Sequence, residues 1–449
     1  MHNLNDTISA VATAPGPGGI GIVRLAGPKA LSIAEKICSK PITPNQFSFH
    51  SFKNAKKELI DQGVALFFQK PHSFTGDDVI ELHAHGGPIV LQILLQECIS
   101  QGSRLAEPGE FTKRAYLNNK IDLSQAEAVA DLINASTTKA AKSAMQSLSG
   151  KFSIKINELL EKLIQLRTYV EASLDFPEEE IDFIKDGQIK EKIESLAISI
   201  QEITKTAKQG KLLREGVQLV LIGQPNVGKS SLLNQLLGED KAIVAEVPGT
   251  TRDPVSSQLS LGGIPINLID TAGLRETDDV VEKVGITKTW DNIRTAGIII
   301  FLVDARAGIT EYEKNIYKQL PKDINIIWVY NKIDLLNGQK ANLTQDFVEP
   351  IFISAKLNQG IEHVRDEILK LLGFHDADSN EQIFMARERH LVALNEVNNH
   401  LANAIYNLKN PDLCAEDLSL SQKALSRVTG SFSSEDLLGE IFSQFCIGK

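Results

Sequence analysis

The feature that most constrains this chain is a glycine-rich loop between a strand-like run and a helix-like run. The stretch VQLVLIGQPNVGKSSLLNQLLG contains Gly223-x-x-x-x-Gly228-Lys229-Ser230. Glycines at these positions let backbone N–H groups wrap a phosphate, while the lysine reaches the β and γ oxygens and the serine hydroxyl can ligate Mg²⁺. A strand, loop and helix in this order are typical of parallel α/β folds, so the segment predicts a P-loop nucleotide-binding domain.

Short β-rich runs extend this prediction from about residue 217 to about residue 374. The runs are VQLVLI, INLID, GIIIFLVD, INIIWVYN and IFISA, and helix-length segments separate them. This alternation predicts a doubly wound, mostly parallel sheet with helices on its faces.

Helical patterns flank the α/β block on both sides. Apolar residues spaced by three and four predict two helix faces: Leu159, Leu163, Leu166, Val170 and Leu174 before the block, and Leu391, Leu394, Val397, Leu401, Ile405 and Leu408 after it. The block is therefore predicted to be inserted into a helical domain. Before it, short apolar runs mixed with turn signals predict a small α+β domain. The predicted divisions are 1–118 for the α+β domain, 119–214 and 376–449 for the helical domain, and 215–375 for the insertion.

Further motifs specify the nucleotide. NLIDTAG places Asp270 at the end of a strand, where a carboxylate can hold Mg²⁺ through water, and the threonines of PGTTRD can complete the metal shell. In VYNKID, the Asp334 carboxylate can accept hydrogen bonds from N1–H and the 2-amino group of guanine, a donor pair that adenine lacks. SAK then fits as a loop against the guanine carbonyl. Motifs in this order resemble the translation-factor-like GTPases, and they predict GTP as the nucleotide.

The predicted GTP-binding residues follow from these motifs. They are Asn226, Val227, Gly228, Lys229, Ser230, Ser231, Ala245, Glu246, Val247, Pro248, Gly249, Thr250, Thr251, Asp270, Thr271, Ala272, Gly273, Asn331, Lys332, Asp334, Ser354, Ala355 and Lys356, with Mg²⁺ on Ser230 and Thr251.

The motifs leave open which group orients the attacking water. Many such GTPases carry a glutamine after the D-x-x-G glycine, but this chain has Leu274, which cannot position water. The segment LRETDDVVEKVGI offers four carboxylates and a possible arginine finger instead. They are Glu276, Asp278, Asp279, Glu282 and Arg275.

Composition narrows the class of partner and compartment. The formal net charge of −10 argues against broad electrostatic avidity for nucleic acid, so any RNA contact must be local. The four cysteines lie far apart without a C-x-x-C pair, which signals neither a zinc site nor a disulfide framework. No run of about 18 apolar residues occurs, and the start lacks a secretory signal pattern. We therefore predict a soluble cytoplasmic protein with no membrane partner.

Two other sequence patterns suggest a dinucleotide site and a metal site, but both indications are weaker. GPGGIG matches G-x-G-x-x-G, but the strand-like IVRLAG follows it, whereas a dinucleotide site requires a helix there. Glu81, His83 and His85 alternate along a predicted strand and could form a two-histidine, one-carboxylate metal site. We expect instead that these three side chains line a polar groove.

Several stretches together resemble the MnmE or TrmE family of tRNA-modification GTPases, essentially from end to end. They are APGPGGIGIVRLAG, GQPNVGKSSLLN, PGTTRD, DTAGLRET and the terminal FCIGK. The resemblance implies an α+β N-terminal domain, a helical central domain and an inserted α/β P-loop GTPase domain. It also implies a homodimer that forms a heterotetramer with the flavoprotein MnmG and adds an aminomethyl or carboxymethylaminomethyl group to C5 of the wobble uridine of certain tRNAs. A tetrahydrofolate derivative, 5-formyl- or methylene-tetrahydrofolate, would supply the one-carbon unit.

The resemblance assigns roles to particular residues. It places folate contacts on Arg24, Glu81, Lys120 and Lys449, and K⁺ on the Asn226 and Thr250 side chains with the backbone carbonyls of Ala245 and Val247. That K⁺ ion would occupy the position of an arginine finger between dimerised nucleotide faces. Catalytic roles fall on Lys229, on Glu282 as the carboxylate that orients water, and on Cys446 in the modification chemistry.

The sequence suggests two alternative functions, and a sequence feature argues against each. A GTP-dependent switch in ribosome assembly would carry an RNA-binding module such as a KH domain, and no G-x-x-G between basic residues in a suitable setting follows residue 375. A scaffold GTPase would have no use for the tail FCIGK. We expect Ser433 or Ser434 to cap a last helix whose apolar face ends at Phe445, and Gly448 to form the turn that directs Lys449.

Overall fold

A computed structural model describes residues 5–175, 188–237, 257–270, 290, 293, 296–321, 324–336, 350–374, 383–430 and 435–448. The chain divides into two compact units, one formed by Met1–Ala130, Leu148–Ile189 and Tyr406–Lys449 and the other by Asp131–Ser147 and Lys190–Ile405. The four-part division into 1–118, 119–214, 215–375 and 376–449 stays a prediction.

Twelve strands lie within the described residues. They are β1 (Ile8–Val11), β2 (Gly18–Ala26), β3 (Phe47–Lys53), β4 (Leu59–Phe68), β5 (Val79–Gly86), β6 (Arg104–Leu105), β7 (Val217–Ile222), β8 (Ser257–Leu261), β9 (Ile264–Asp270), β10 (Ile298–Asp304), β11 (Asn325–Asn331) and β12 (Ile351–Phe352).

Thirteen α-helices are found in the same ranges. They are α1 (Ala30–Cys38), α2 (Pro88–Ser100), α3 (Glu110–Leu117), α4 (Leu123–Ile133), α5 (Thr138–Leu148), α6 (Lys151–Asp175), α7 (Ile189–Glu215), α8 (Lys229–Leu237), α9 (Glu311–Tyr317), α10 (Ile361–Leu371), α11 (Glu388–Tyr406), α12 (Pro411–Thr429) and α13 (Glu435–Ser443). A 3-10 helix spans Ile333–Leu335.

The first unit contains a six-stranded sheet in the order β3-β4-β5-β2-β1-β6. Its apolar face, which includes Val23, Leu25, Ile80 and Leu82, packs against α1 and α2. The antiparallel pairing of β2 with β5 sets Arg24 directly opposite Glu81. Because alternate residues of a strand face opposite sides of a sheet, this register places both polar side chains together, away from the core.

The helical stripe predicted before the α/β block is confirmed in α6. Leu159, Leu163, Leu166 and Val170 are buried, Leu174 is only partly buried, and α6 packs against α12 within the first unit. The Arg167 guanidinium donates to the Gln422 amide oxygen at 2.6 Å across the same helix pair. The tail helix α13 ends at Ser443, earlier than expected, although Phe445 beyond it is still buried.

The second unit contains a sheet in the order β12-β11-β10-β7-β9-β8. All neighbouring pairs are parallel except β8 with β9, so the prediction of a doubly wound, mostly parallel sheet is confirmed. The apolar run of β10 is buried along almost its whole length, as expected for a central strand covered on both faces. Helices α8 and α10 contact this sheet.

A helix that crosses a bilayer needs about 20 predominantly apolar residues. No helix in the described part of the chain has both the length and the hydropathy to cross a membrane.

Candidate functional site

Neighbouring atoms leave no room for a side chain at the P-loop glycines. A Cβ atom on Gly223 would lie 2.3 Å from the Leu302 carbonyl oxygen of β10, and one on Gly228 would lie 2.3 Å from Nδ2 of Asn331. Gly228 also has φ +105°, in the left-handed region that glycine adopts without strain. The loop between β7 and α8 is therefore packed against the sheet on one side and shaped by positions that exclude side chains.

Lys229 and Ser230 open α8 at the end of this loop. The Lys229 ammonium donates to the carbonyl oxygens of Gly223 at 2.7 Å and Gln224 at 3.3 Å, so the cation lies over the loop itself. Ser230 is exposed in the first turn of α8, where backbone N–H groups lack partners inside the helix. A cation, a hydroxyl and a helix N-terminus together suit a phosphate with its magnesium ion.

Asn331 joins three of the predicted motifs. Its Nδ2 donates to the Val227 carbonyl oxygen at 2.8 Å, and its Oδ1 accepts from the Ala355 N–H at 2.9 Å. The side chain is only 3% exposed, and each end of its amide is hydrogen-bonded. Asn331 therefore holds the phosphate loop and the SAK segment at a fixed separation, which is a positioning role.

Asp334 lies in the 3-10 helix after β11 and is partly buried. The Ser354 hydroxyl donates to its Oδ1 at 2.6 Å. That bond fixes the carboxylate plane, so the orientation of an acceptor for guanine N–H groups is set by the SAK serine. Lys356 follows in the same segment and is exposed.

Asp304, at the end of β10, is a residue that sequence reasoning missed. Hydrogen bonds from Arg306, at 3.0 and 2.7 Å, hold the pKa of its carboxyl well below the usual range, and the Lys332 ammonium lies 3.1 Å from its Oδ2. Lys332 itself has φ +66°. The pairing anchors the lysine of the guanine motif. In the sequence, Asp304 is only an aspartate at the end of a strand. Its importance becomes visible once the strand order shows that this strand lies next to β11.

The structure describes only some of the other residues predicted to bind the nucleotide. Asn226 is exposed with φ +61°, Val227 is buried, and Ser231 follows in α8. The backbone of Asp270 ends β9 beside Leu221, next to the P-loop strand. The following candidates lie outside the described residues: Ala245, Glu246, Val247, Pro248, Gly249, Thr250, Thr251, Thr271, Ala272, Gly273, Leu274, Arg275, Glu276, Asp278, Asp279 and Glu282.

A second polar group lies in the first unit, where β2 meets β5. Arg24 Nε donates to Glu81 Oε1 at 2.9 Å, and Nε2 of His83 lies 3.2 Å from the other carboxylate oxygen. The guanidinium also lies over the Phe111 ring, 5.6 Å from its centroid. Phe111 is fully buried, so the ring supports the guanidinium from the core side. A carboxylate beside a guanidinium held in this way suits a heterocycle that carries both donors and acceptors.

The C-terminal tail is attached to this same group. Ile447 pairs with Pro108 in an antiparallel bridge, and the Gly109 N–H donates to the Cys446 carbonyl oxygen at 3.3 Å. Arg24 Nη1 then donates to the Gly448 carbonyl oxygen at 3.3 Å. The tail is thus held beside the Arg24–Glu81 pair, whereas Ser433, Ser434 and Lys449 lie outside the described residues.

Lys120 contacts the loop that contains Pro71. Its ammonium donates to the Pro71 carbonyl oxygen at 2.9 Å. The structure therefore groups Arg24 and Glu81 with the tail, and it puts Lys120 on the Pro71 loop.

The alternative metal site is not formed. His85 turns toward Asp61, with Nδ1 2.8 Å from Oδ1, while His83 stays with Glu81. In the described part of the chain, no three histidine, cysteine or carboxylate side chains are grouped so that they could hold a metal ion.

The four cysteines differ sharply in accessibility. Cys38, Cys98 and Cys414 are buried, and burial raises the pKa of Cys38 to about 12 and that of Cys414 to about 11. Cys446 is exposed, next to the tail bridge. The accessible thiol is therefore the one in FCIGK.

Two family models match this chain. The family model for the MnmE helical domain matches residues 123–446, and the model for the GTP-binding protein TrmE N-terminus matches residues 7–120. The chain is 51% identical over 449 residues to the tRNA modification GTPase MnmE of Dechloromonas aromatica (strain RCB), with 99% of this chain and 100% of that one covered.

A second relative and a solved structure extend the comparison. The MnmE of Nitrosomonas eutropha (strain DSM 101675 / C91 / Nm57) is 48% identical, with 99% of both chains covered. The crystal structure of a point variant of Aquifex aeolicus Era bound to GDP and AlF₄⁻ is 26% identical with a TM-score of 0.28, covering 41% of this chain and 66% of that one.

Proposed function

This chain belongs to the MnmE family of tRNA modification GTPases, and from that membership we propose that it hydrolyses GTP in a complex that modifies C5 of tRNA wobble uridines. The observation that carries the proposal is the tail. The Cys446–Gly448 part of FCIGK is held beside the Arg24–Glu81 pair with Cys446 exposed, in a different compact unit from the guanine motifs. Two chemically distinct sites suit an enzyme that couples GTP turnover to a second reaction.

The nucleotide half of the proposal uses the phosphate loop and the guanine motif. Backbone N–H groups of the loop and α8 would hold the phosphates, with Lys229 on the β and γ oxygens. Ser230 and Thr251 would hold Mg²⁺, which neutralises charge on the transferring phosphate. Asp334, oriented by Ser354, would select guanine, and Glu282 would orient the attacking water.

K⁺ is proposed as the activating cation of the GTPase centre. An arginine finger contributes about 10³- to 10⁵-fold to turnover, and K⁺ in its place should supply part of that charge stabilisation. We expect GTP turnover, measured by phosphate release, to be at least about tenfold faster in KCl than in NaCl of equal ionic strength. Asn226→Gly keeps the left-handed backbone but removes the proposed ligand, so its two rates should converge. Equal wild-type rates in both salts would contradict the K⁺ model.

The modification half uses the first unit. Glu81 would accept hydrogen bonds from the amino and N–H donors of a pterin, and Arg24, Lys120 and Lys449 would meet its carbonyl or carboxylate oxygens. A bound tetrahydrofolate derivative would supply the one-carbon unit. Cys446 is the thiol accessible to this chemistry, because the other three cysteines are buried.

The assembly we propose is a cytoplasmic homodimer that works with the flavoprotein MnmG on tRNA. Its domains would be a folate-binding and dimerisation domain at 1–118, a helical domain at 119–214 and 376–449, and an inserted GTPase domain at 215–375. The two family models meet near residue 120, which supports the boundary between the first and second of these domains.

Mass spectrometry of tRNA nucleosides tests the proposed function. Cells lacking the protein should lose the C5-modified wobble uridine, and wild-type protein should restore it. Cys446→Ser should restore little of it while hydrolysing GTP at the wild-type rate, because serine lacks the nucleophilicity of a thiol. Unchanged wobble uridines in cells without the protein would contradict the proposed function. Full rescue by Cys446→Ser would contradict only the proposed role of the thiol.

A further inference from the structure

The second unit contains a cavity of about 580 Å³ whose lining residues do not include those of the P-loop. This volume falls within the range of about 300–1,000 Å³ that small-ligand pockets occupy. Helix α5 forms one wall, and α7, the β8–β9 turn and the segment before α11 complete it. The lining residues are Thr138, Lys139, Lys142, Ser143, Gln146, Leu213, Gly263 and Ile383.

Hydrogen bonds hold the walls of this cavity in place. Thr137 Oγ1 accepts from the Ala140 N–H at 3.1 Å and donates to the Gly263 carbonyl oxygen at 2.7 Å. Ser143 Oγ donates to the Ile383 carbonyl oxygen at 2.9 Å. A Cβ atom on Gly263 would lie 2.8 Å from Cβ of Lys139, so glycine is what lets the β8–β9 turn approach α5. The cavity is therefore part of the folded unit and does not depend on a ligand to form.

Cations beside the cavity are paired with carboxylates. Lys211 lies 2.5 Å from Glu388, and Asp131 accepts from Arg214 at 3.1 Å and from Arg387 at 2.9 Å. In the described part of the chain, Glu388 and Asp131 are therefore already engaged by cations other than the cavity lysines.

The two lysines that line the cavity are different. Within the described ranges, neither Lys139 nor Lys142 has a carboxylate within ion-pair distance. The Lys139 ammonium lies over the Phe374 ring, 4.6 Å from its centroid. Burial lowers the pKa of Lys139, which means that its charged form would gain from an anion brought alongside.

The spacing of the lysines favours one shared anion. Residues three apart on a helix have Cβ atoms about 5–6 Å apart, so two flexible lysine side chains can meet the same group. A phosphate offers more acceptor oxygens than a carboxylate, and lysine ammonium groups bind it as point charges. The polar side chains of Thr138 and Gln146 lie on the same wall.

We propose that this cavity binds a phosphate group. Its source is either the backbone of tRNA, an alternative that rests on the proposed function, or a free phosphate compound. A chain of net charge −10 needs a local cationic site to hold a polyanion, and this cavity provides one.

The test uses the full-length protein saturated with a non-hydrolysable GTP analogue and Mg²⁺, so that the P-loop is occupied. Pyrophosphate binding is measured by calorimetry, and binding of unmodified tRNA by filter retention at several salt concentrations. The test variant is Lys139→Gln/Lys142→Gln. The matched control is Lys205→Gln/Lys208→Gln, which removes two exposed α7 lysines with the same spacing outside the cavity.

A free phosphate source predicts that pyrophosphate affinity falls at least about tenfold in the test variant, with tRNA affinity unchanged. A tRNA source predicts a similar fall in tRNA affinity, with a salt slope lower by about 0.7–0.9 for the one phosphate that the two lysines share. The control should keep wild-type values in both assays. Wild-type values in the test variant, equal losses in the control, or no binding of either ligand by the wild type would overturn the proposal.

A second variant covers a failure to fold and separates this proposal from the proposed function. Lys142 is exposed, so Lys142→Glu should fold and still weaken phosphate binding at least about tenfold; wild-type binding by this variant would overturn the proposal. If wild-type protein binds pyrophosphate in a lysine-dependent way but no tRNA, the cavity stands and the tRNA function is what fails.

Discussion

Asparagine in place of Asp334 is expected to lower GTP affinity by about two to four orders of magnitude. The loss corresponds to two hydrogen bonds to a charged acceptor, each contributing about 1.5–3 kcal/mol. Ser354 Oγ donates to Oδ1 of residue 334 at 2.6 Å, so an asparagine would keep its carbonyl oxygen there and turn its NH₂ toward the base. That NH₂ would then face the N–H donors of guanine. Equilibrium titration with a fluorescent GTP analogue measures the change.

The same geometry provides a gain-of-binding control. Xanthine carries a carbonyl where guanine has its 2-amino group, so the Asp334→Asn protein should bind xanthosine triphosphate better than the wild type does. Asp366→Asn, an equivalent change at an exposed position of α10, should alter neither affinity. Wild-type GTP affinity in Asp334→Asn would show that the guanine contact lies elsewhere.

Much of the α/β fold was predictable because its strands are apolar runs of a recognisable length. The run of β10 is buried almost throughout, and its identity as a central strand follows from the uninterrupted apolar stretch that precedes Asp304. Strand β8 was missed, because SQLSL is short and alternates weakly, and its antiparallel pairing depends on the Gly262–Gly263 turn. The IFISA run gave a strand of only Ile351–Phe352, since Ser354 turns into the SAK loop.

The nucleotide site was predictable as a set of motifs but not as a geometry. Spacing identified Asn331 and Asp334, yet the bonds from Asn331 to Val227 and Ala355 span 104 and 24 residues and have no local signal. Asp304 was missed for the same reason, because its partner Lys332 belongs to another strand end. Long-range contacts depend on strand order, which a motif does not encode.

Neither motifs nor strand patterns predicted the geometry of the two other sites, the Arg24–Glu81 pair with the tail and the lysine-lined cavity. Arg24 and the tail lie 424 residues apart, and only the family resemblance connected them before the structure did. Nothing in the sequence pointed to the lysine-lined cavity, because its walls come from α5, the β8–β9 turn, α7 and the segment before α11. Lys139 and Lys142 look like solvated helix residues until those walls are assembled.

Alanine at position 448 is expected to reduce wobble-uridine modification about a hundredfold, because a 1 Å misplacement of reacting groups can cost that much. Gly448 has φ +96°, and a Cβ atom there would lie 2.2 Å from the Val11 carbonyl oxygen. The tail must therefore move, which breaks the bond from Arg24 to the Gly448 carbonyl and displaces Cys446. Gly439→Ala, in α13 with open space around its Cβ position, is the matched control and should modify tRNA normally. GTP turnover should stay at the wild-type rate in both proteins, and normal modification by Gly448→Ala would show that the reaction does not need the tail in this place.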